Sequence, residues 1–224
     1  MLKAHFESNI HCENATHEIQ FGCIERPAHR GSAFASDRYE VCQQRWSALH
    51  EANRGFALLN DGIFGLSAQR GELALTLLRA PLVPSETNNQ GKHHFTYALY
   101  PFASSLSRSH VVQAGYALNQ PLRHVSGSDE ISGPILESDT LILETVKRTE
   151  DGSGLALRVY QSMNETGRGV LRLGYPAELT EISMDEEKTI SDPLRGSEFI
   201  LTARPFEIKT FRAVPLSRLE EISK

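Results

Sequence analysis

The sequence predicts a mainly β protein built from antiparallel β-sandwiches. From about residue 17 onward, short runs rich in Ile, Val, Leu, Phe and Tyr alternate with clusters of Gly, Pro, Asn and Asp, which is typical of strands and turns. Helical periodicity is scarce, and the chain shows no internal repeat, heptad array or low-complexity tract. At 224 residues, it is long enough for one large β domain or two smaller ones.

The individual elements follow from these runs and from the turn residues between them. Asn60-Asp61-Gly62 closes one run, and Asp151-Gly152 separates two others and indicates a hairpin over residues 145–161. One helix is predicted at residues 109–118, with Ser109 as its N-cap and apolar residues at three-to-four spacing. The predicted strands are residues 17–24, 44–50, 55–59, 72–78, 94–100, 140–147, 155–161, 169–173, 198–203 and 206–213.

A domain boundary is predicted between residues 119 and 139. Periodicity is lost there, while Pro, Gly, Ser and Asp accumulate. We therefore divide the chain into domains at residues 1–135 and 136–224. The second domain holds six or seven short strands within about 80 residues, which is enough for a small immunoglobulin-like sandwich.

Composition excludes several classes of partner and compartment. The chain has 23 Lys plus Arg against 28 Asp plus Glu, a net charge of -5, which argues against a nucleic-acid or anionic-membrane partner. Three cysteines without C-x-x-C spacing favour neither a disulfide framework nor a zinc knuckle, and so indicate a reducing compartment. Without an apolar leader or a run of about 18 apolar residues, the cytoplasm is the expected location.

Two polar clusters are candidates for binding. In Glu25-Arg26-Pro27-Ala28-His29-Arg30, the side chains of Arg26 and His29 are suited to donate hydrogen bonds to a carboxylate, phosphate or sugar. The alternative is a solvated loop whose charges pair with one another, and composition alone favours it. The second cluster contains Asn60 and Asp61, which in the simpler interpretation only close a turn.

Catalytic and metal-binding motifs are hard to find. The adjacent His93 and His94 fall in a predicted strand, where neighbouring side chains point to opposite faces and do not easily share one metal ion. The sequence has no H-E-x-x-H, G-x-S-x-G, phosphate-binding loop or dinucleotide fingerprint. A glycosidase pair of carboxylates requires two groups about 5 to 10 Å apart, a geometry that spacing does not supply. The acidic residues available for such a pair are Glu25, Asp37, Asp61 and Glu72.

Several long segments, in fixed order, resemble the family 38 α-mannosidases. They are QFGCIERPAHR at residues 20–30, EVC at residues 40–42 with Trp46 behind it, GFALLND at residues 55–61 and HHFTYALYP at residues 93–101. LETVKRTEDGSGLALRVYQS and PFEIKTFRAV continue the match toward the C-terminus. The resemblance covers nearly the whole chain beyond residue 17.

This resemblance implies a non-catalytic, carboxy-terminal part of a retaining α-mannosidase. Residues 1–135 then correspond to the latter part of a large galactose-mutarotase-like sandwich, and residues 136–224 to the small terminal sandwich. The family's reaction proceeds through a covalent mannosyl-enzyme intermediate. Its zinc ligands and catalytic aspartates belong to an amino-terminal domain and have no counterparts here, so we expect neither cofactor nor metal in this chain and no hydrolysis by it alone.

The resemblance also ranks the residues near substrate. In the family, the loop after the L-N-D strand approaches the active site, which makes Asn60 and Asp61 the first candidates and Arg26 and His29 the second. Two departures weaken a polar role: residues 28–33 are Ala-His-Arg-Gly-Ser-Ala where the family often has Thr-His-Arg-Asn-Thr-Ser, and residues 62–64 are Gly-Ile-Phe where a basic or polar residue is usual.

The implied partners are the remainder of a mannosidase polypeptide and its glycan substrate. The alternative is a stand-alone carbohydrate-binding module that stacks aromatic rings on a glycan. Trp46 lies in a predicted strand, and we expect it to pack in the core instead. A sandwich that lacks its early strands exposes apolar faces and strand edges, so self-association is also predicted.

Overall fold

The computed structural model describes residues 1–81, 83, 87, 90–122, 124, 126–127 and 133–217. It divides the chain into two compact units, which we call unit 1 (Met1–His124) and unit 2 (Val125–Lys224). Both units are antiparallel β structures, which confirms the predicted fold class. Within the segment at residues 119–139, predicted above to hold the domain boundary, residues 123, 125 and 128–132 lie outside the described ranges.

The described residues of unit 1 form nine strands in two sheets. One sheet has the order β1-β8-β7-β4 and the other has the order β3-β2-β5-β6-β9. The strands are β1 (Leu2–Glu7), β2 (Asn14–Ile19), β3 (Gly22–Pro27), β4 (Glu40–Cys42), β5 (Trp46–His50), β6 (Gly55–Asn60), β7 (Gly65–Gln69), β8 (Glu72–Leu78) and β9 (Tyr97–Phe102).

The two sheets of unit 1 share one apolar core. Strands β2, β5 and β6 contribute one side of it, and β7 and β8 contribute the other, because alternate residues of each strand face the partner sheet. Removing such side chains from water is the main favourable term in folding a sandwich of this size. The buried members are Ala15, Ala28, Leu49, Leu58, Leu66, Ala68, Leu73 and Leu75.

The outer face of the five-stranded sheet is covered by a helix. A short helix α1 (Ala33–Ser36) and a 3-10 turn (Leu106–Arg108) precede the longer helix α2 (Val111–Asn119). Gly115 of α2 lies so close to Trp46 that an added Cβ would come within 3.2 Å of its ring, so only a residue without a side chain fits easily. Trp46 is fully buried, as expected for a core residue. The predicted cap is wrong by one residue, because α2 begins at Val111 and its N-cap is His110, whose φ of 56° is left-handed. Ser109 precedes this cap, and its hydroxyl accepts a hydrogen bond from the backbone N–H of Val111 (3.3 Å).

Unit 2 is a smaller sandwich with a long, bent strand at its centre. Its strand order is β10-β13-β15-β12-β11, with β14 also paired to β13. The pairing of β13 breaks between Arg172 and Ala177, around Gly174 with its positive φ of 76°. The strands are β10 (Ile135–Glu137), β11 (Leu141–Arg148), β12 (Leu155–Gln161), β13 (Gly167–Ile182), β14 (Leu194–Ala203) and β15 (Ile208–Pro215).

Two of the predicted strands are wrong in extent. Residues 17–24 are not one strand, because β2 turns back into β3 through Gln20 and Phe21. Phe21 adopts a positive φ of 56°, which is rare for a bulky residue. The turn residues Gln20 and Phe21 also lack the Asn-Gly or Asp-Gly pair that marks a hairpin in a sequence. The strand predicted at residues 169–173 extends to Ile182 as β13, because a bend at Gly174 lets it continue where a stop was expected.

Other predictions match the structure closely. The hairpin at residues 145–161 is confirmed by the pairing of β11 with β12, and β8 and β12 have the predicted bounds. The sequence did not indicate β1, β4, β7 and β10, which have three to six residues each. None of the helices in the described ranges is long and apolar enough to cross a membrane.

Candidate functional site

Two chain segments cross between the sheets side by side at one end of unit 1. Residues 43–45, which we call crossover 43–45, connect β4 to β5, and residues 61–64, which we call loop 61–64, connect β6 to β7. The backbone N–H of Gln43 donates to the carbonyl of Phe64 (2.9 Å), and its side-chain amide donates to the carbonyl of Ile63. The crossover therefore supports the loop that contains Asp61 and directly follows Asn60, the two first candidates for the site.

Asn60 shapes this loop from inside the protein. Its side chain is fully buried: Oδ1 accepts from the N–H groups of Gly62 (3.1 Å) and Ile63 (2.7 Å), and Nδ2 donates to the carbonyl of Gln44 (2.9 Å). These bonds occupy the amide, as the simpler turn interpretation expects. The amide of Asn60 therefore lies beneath the loop. That Asn60 is near substrate stays a prediction.

Asp61 is the exposed acidic residue of the loop. Its Oδ1 accepts from the backbone N–H of Thr96 (3.2 Å), and its own N–H donates to the Thr96 carbonyl (3.2 Å), which holds the loop beside the start of β9. Within the described part of the chain, no bond to the second carboxylate oxygen is seen, so that oxygen remains able to accept from a ligand hydroxyl.

Two residues with exposed aromatic rings are neighbours of Asp61 in the chain or across the strand pair, and neither was predicted from the sequence as a site residue. Phe64 at the end of the loop is 58 % exposed, and Tyr97, which pairs with Asn60 across β6 and β9, is 40 % exposed. A carboxylate beside exposed aromatic rings provides both a hydrogen-bond acceptor and apolar faces. The available signal for Tyr97 was its place in the HHFTYALYP segment, directly after the residue that Asp61 binds.

Of the second pair of candidates, His29 lies away from this loop, whereas Arg26 contacts Cys42, which pairs with Gly65 directly after the loop. Arg26 is on β3, an edge strand, and its Nη1 donates to the carbonyl of Cys42 on β4 (3.0 Å), joining the edges of the two sheets. His29 follows β3, next to Ala28, whose carbonyl accepts from the N–H of Arg70 just after β7. The loop and His29 are therefore separated by the length of β7, about 15 Å at ~3.3 Å per residue.

The His29 side chain stabilises the turn in which it lies. Its Nδ1 accepts a hydrogen bond from the backbone N–H of Gly31 (3.0 Å), and the ring is exposed. The structure thus brings Asn60 and Asp61 together, places Arg26 at the side of the sandwich and puts His29 at the opposite end. A single sugar cannot contact all four.

A buried histidine and serine in unit 1 form a packing contact. Nδ1 of His17 lies 2.8 Å from Oγ of Ser47, and both residues are at most 1 % exposed. Burial, assisted by the charge of Arg26, lowers the pKa of His17 to about 3, so the ring is neutral at physiological pH. Because no ligand can reach this pair from solvent, it stabilises the fold and does not provide a nucleophile.

The cysteines and histidines do not assemble a metal site. Across the described ranges, no three His, Cys, Asp or Glu side chains come close enough to hold a metal ion. The three cysteines are free thiols, and burial, with Glu25 and Glu18 nearby, raises the pKa of Cys23 to about 12. The residues present therefore do not fit the zinc site of the resembled family, and no chemical step is assigned to a metal here.

Two family models match the chain. "Glycosyl hydrolases family 38 C-terminal domain" matches residues 1–87, and "Glycosyl hydrolases family 38 C-terminal beta sandwich domain" matches residues 140–211. Together they include loop 61–64 and most of unit 2. These matches confirm the resemblance found in the sequence.

Similar proteins carry the name α-mannosidase. The chain is 34 % identical to Alpha-mannosidase G of Dictyostelium discoideum over 96 % of its own length and 36 % identical to human Alpha-mannosidase 2C1 over 92 %. It spans 21 % of each of these relatives. A solved α-mannosidase from Enterococcus faecalis V583 matches 94 % of the chain with a TM-score of 0.75 at 18 % identity, which supports the fold.

Proposed function

Because the chain belongs to the C-terminal region of glycosyl hydrolase family 38, we propose that it supports and completes the mannoside-binding cleft of an α-mannosidase. The observation that carries this proposal is the match of two C-terminal family models, one to each unit. The relatives are about five times longer, and the described residues hold no metal-binding cluster. The catalytic groups are therefore assigned to other parts of the enzyme, and this chain alone is expected not to hydrolyse mannosides.

Loop 61–64 is the proposed point of contact with the glycan. Asp61 is exposed and fixed to β9 through Thr96, so a hydroxyl that binds its free oxygen meets an acceptor whose position is already set. Phe64 within the loop and Tyr97 directly after Thr96 add exposed aromatic rings, the latter packed edge-on against Phe6 (ring centroids 5.6 Å apart). Asn60 contributes by holding the loop in shape, whereas Arg26 and His29 are proposed only as more distant neighbours of the substrate.

Kinetics of the polypeptide encoded by the complete reading frame test this proposal. With 4-nitrophenyl α-D-mannopyranoside, we expect turnover by the complete polypeptide and none by this chain alone. Asp61→Asn keeps the size and the bond to Thr96 but removes the charge, and it is expected to raise KM by about tenfold with a smaller change in kcat. Turnover by this chain alone, or an unchanged KM in the variant, would contradict the proposal.

A matched control is available in unit 2. Asp151 also accepts a backbone hydrogen bond in a turn, from the N–H of Ser153 (2.8 Å), and it is exposed. Asp151→Asn therefore makes the same chemical change outside loop 61–64. We expect its KM to equal that of the unsubstituted enzyme, so that a rise in both variants would indicate a general charge effect.

The alternative function is that of a stand-alone carbohydrate-binding module, for which the exposed rings of Phe64 and Tyr97 are the supporting observation. Titration of this chain with mannose, followed by NMR, separates the two functions. Saturable binding in the millimolar range or tighter would favour the module, whereas its absence agrees with the supporting role.

We also propose the cytoplasm as the location of the protein. The support is the state of Cys12, Cys23 and Cys42, which are all free thiols in the structure. Unpaired cysteines are typical of reducing compartments. Microscopy of the tagged full-length protein tests this proposal, and a secretory-pathway pattern would overturn it.

A further inference from the structure

An ion pair between a buried carboxylate and a partly buried arginine lies directly behind loop 61–64. Glu18 on β2 is 2 % exposed, and its carboxylate binds Arg45 at three points: Oε1 accepts from Nη2 (2.7 Å), and Oε2 accepts from Nε (3.0 Å) and from the backbone N–H (2.8 Å). Burial is the largest influence on the pKa of Arg45 and lowers it, but the hydrogen bonds and charge of Glu18, together with Tyr116, outweigh burial and raise this pKa above its ordinary value. The charged guanidinium of Arg45 is therefore held in place against Glu18.

Helix α2 completes the surroundings of this pair. The guanidinium of Arg45 lies 3.6 Å from the centre of the Tyr116 ring, a cation–π contact. One turn along the helix, Nδ2 of Asn119 donates to the carbonyl of Asn60 (2.9 Å). The helix thus contacts both the ion pair and Asn60, the residue directly before loop 61–64.

The ion pair is joined to the loop by a short chain of hydrogen bonds. Besides the bond from its own N–H to Glu18, Arg45 accepts through its carbonyl from the N–H of Asn60 (2.9 Å). Gln44 donates its N–H to the Glu18 carbonyl (3.1 Å) and accepts from the Asn60 side chain (2.9 Å). Glu18 therefore fixes crossover 43–45, and the crossover fixes Asn60 and the loop.

Stability alone is a weak explanation for this arrangement. Moving two charges out of water costs about as much as their attraction returns, and well-packed apolar residues of similar volume often serve as well. An apolar side chain at residue 18, however, accepts nothing from the N–H of Arg45. The carboxylate of Glu18, by contrast, holds the backbone of crossover 43–45 in place.

We propose that Glu18 is a positioning residue, which through Arg45 and Asn60 sets the conformation of loop 61–64. One consequence rests on the proposed function: Glu18 governs mannoside affinity without touching the sugar. The structural part of the inference, the control of the loop by Glu18, can be measured independently of any substrate.

Amide hydrogen exchange tests the structural part on the chain described here. Glu18→Leu removes the acceptors at similar volume, and we expect the N–H groups of Gly62 and Ile63, which bind Asn60, to exchange at least about tenfold faster. Glu18→Gln retains an acceptor oxygen and should restore part of the protection. It also serves as the measurable variant if Glu18→Leu does not fold.

Glu186→Leu is the matched control. Glu186 of unit 2 has a side chain that is 6 % exposed and pairs with Lys147 (2.8 Å), so its replacement also removes a largely buried charge partner. This variant should leave the exchange of Gly62 and Ile63 unchanged. Unchanged loop exchange in the folded Glu18 variants, or equally fast exchange in the control, would overturn the inference.

Kinetics of the complete polypeptide then separate this inference from the proposed function. We expect Glu18→Gln to raise the KM for the nitrophenyl mannoside by about threefold to tenfold with kcat nearly unchanged. Faster loop exchange with unchanged KM would uphold Glu18 as the residue that positions the loop and reject the placement of the loop at the sugar. Slower turnover without faster exchange would reject the role of Glu18.

Discussion

Units 1 and 2 are both antiparallel sandwiches, but they bury different kinds of side chain. Among the described residues, unit 1 buries His17 and Glu18 as well as the amides of Gln43 and Asn60, and most of these lie near its crossing segments. The buried polar side chains of unit 2 are mainly hydroxyls with the amide of Gln161, and none is a histidine or carboxylate. Buried polar groups require partners in defined positions, so they fix local geometry more than they add stability.

The core of unit 2 shows the contrast most clearly. Its twelve buried members are hydrocarbon side chains from β11 to β15, and Leu171 and Leu173 are fully buried. Unit 2 is therefore expected to depend mainly on packing, whereas unit 1 combines packing with hydrogen-bonded segments that hold a loop. The loop suited to binding thus belongs to the unit that buries ionisable and amide side chains.

The largest expected effect is the loss of packing in unit 2. Leu173→Ala removes a fully buried side chain and should lower the free energy of unfolding of unit 2 by about 2–5 kcal/mol, because the cavity closes only partly. Urea unfolding followed by site-resolved hydrogen exchange measures this. Protection in unit 1 should be unaffected, and an equal loss there would show that the two units do not unfold separately.

A smaller, pH-dependent effect is expected in unit 1. Because the pKa of His17 falls from 6.5 to about 3 on folding, the unfolded chain binds a proton between these values that the native state excludes. This contribution to stability is complete above pH 6.5 and is lost as the pH falls toward 3. Between pH 7 and pH 5, the loss attributable to His17 is about 2 kcal/mol at ~1.36 kcal/mol per pH unit.

Replacement of the histidine isolates that contribution. His17→Asn should flatten the pH dependence of the urea midpoint of unit 1 over this range, while exposed His29→Asn should leave it steep. Unit 2 buries no histidine among its described residues, so its midpoint should show the shallower dependence without any substitution. Equal slopes for His17→Asn and the unsubstituted protein would contradict the buried, neutral state of this ring.

The smallest expected effect concerns self-association, which stays a prediction. Beside the edge strands β1 and β9, unit 1 has an apolar groove of about 560 Å³ lined by Phe6, Phe56, Leu99 and Pro101, among others, and Leu99 is 55 % exposed. Exposed apolar groups beside strand edges favour pairing with a second molecule. Leu99→Lys should weaken association about tenfold, or ~1.4 kcal/mol, in sedimentation experiments.

Unit 2 again supplies the control. Ile200 on β14 is 61 % exposed, and Ile200→Lys places the same charge on a different surface. We expect this variant to associate like the unsubstituted chain. A strictly monomeric chain at all concentrations would contradict the prediction, and equal weakening by both substitutions would remove the groove from the explanation.

Strands with strong local signals could be predicted, and those defined by their neighbours could not. The predictions for β8 and β12 succeed because each is a long apolar run between turn residues. The hairpin of β2 and β3 was missed because it turns at Phe21, a residue whose positive φ is imposed by the surrounding sheet. Strand β4 has three residues and exists because β7 offers it an edge to pair with.

For the candidate site, the sequence indicated the loop but not its supports. Asn60 and Asp61 are adjacent in a turn motif, so their proximity follows from the chain itself. Glu18 is 27 residues from Arg45, and nothing in its local sequence marks it as a partner of the crossover. Likewise, no sequence pattern shows that Arg26 joins two sheet edges, or that His29 lies at the opposite end from the loop.

The sequence by itself determined the fold class, the family and the turn at residues 60–62, because apolar periodicity, motif order and turn chemistry are properties of neighbouring residues. Only the tertiary structure decided that the amide of Asn60 is occupied, that one oxygen of Asp61 has no partner among the described residues and that Glu18 lies behind the loop. Those facts depend on contacts between strands distant in the chain. Burial and hydrogen-bond geometry arise only when the sheets pack together.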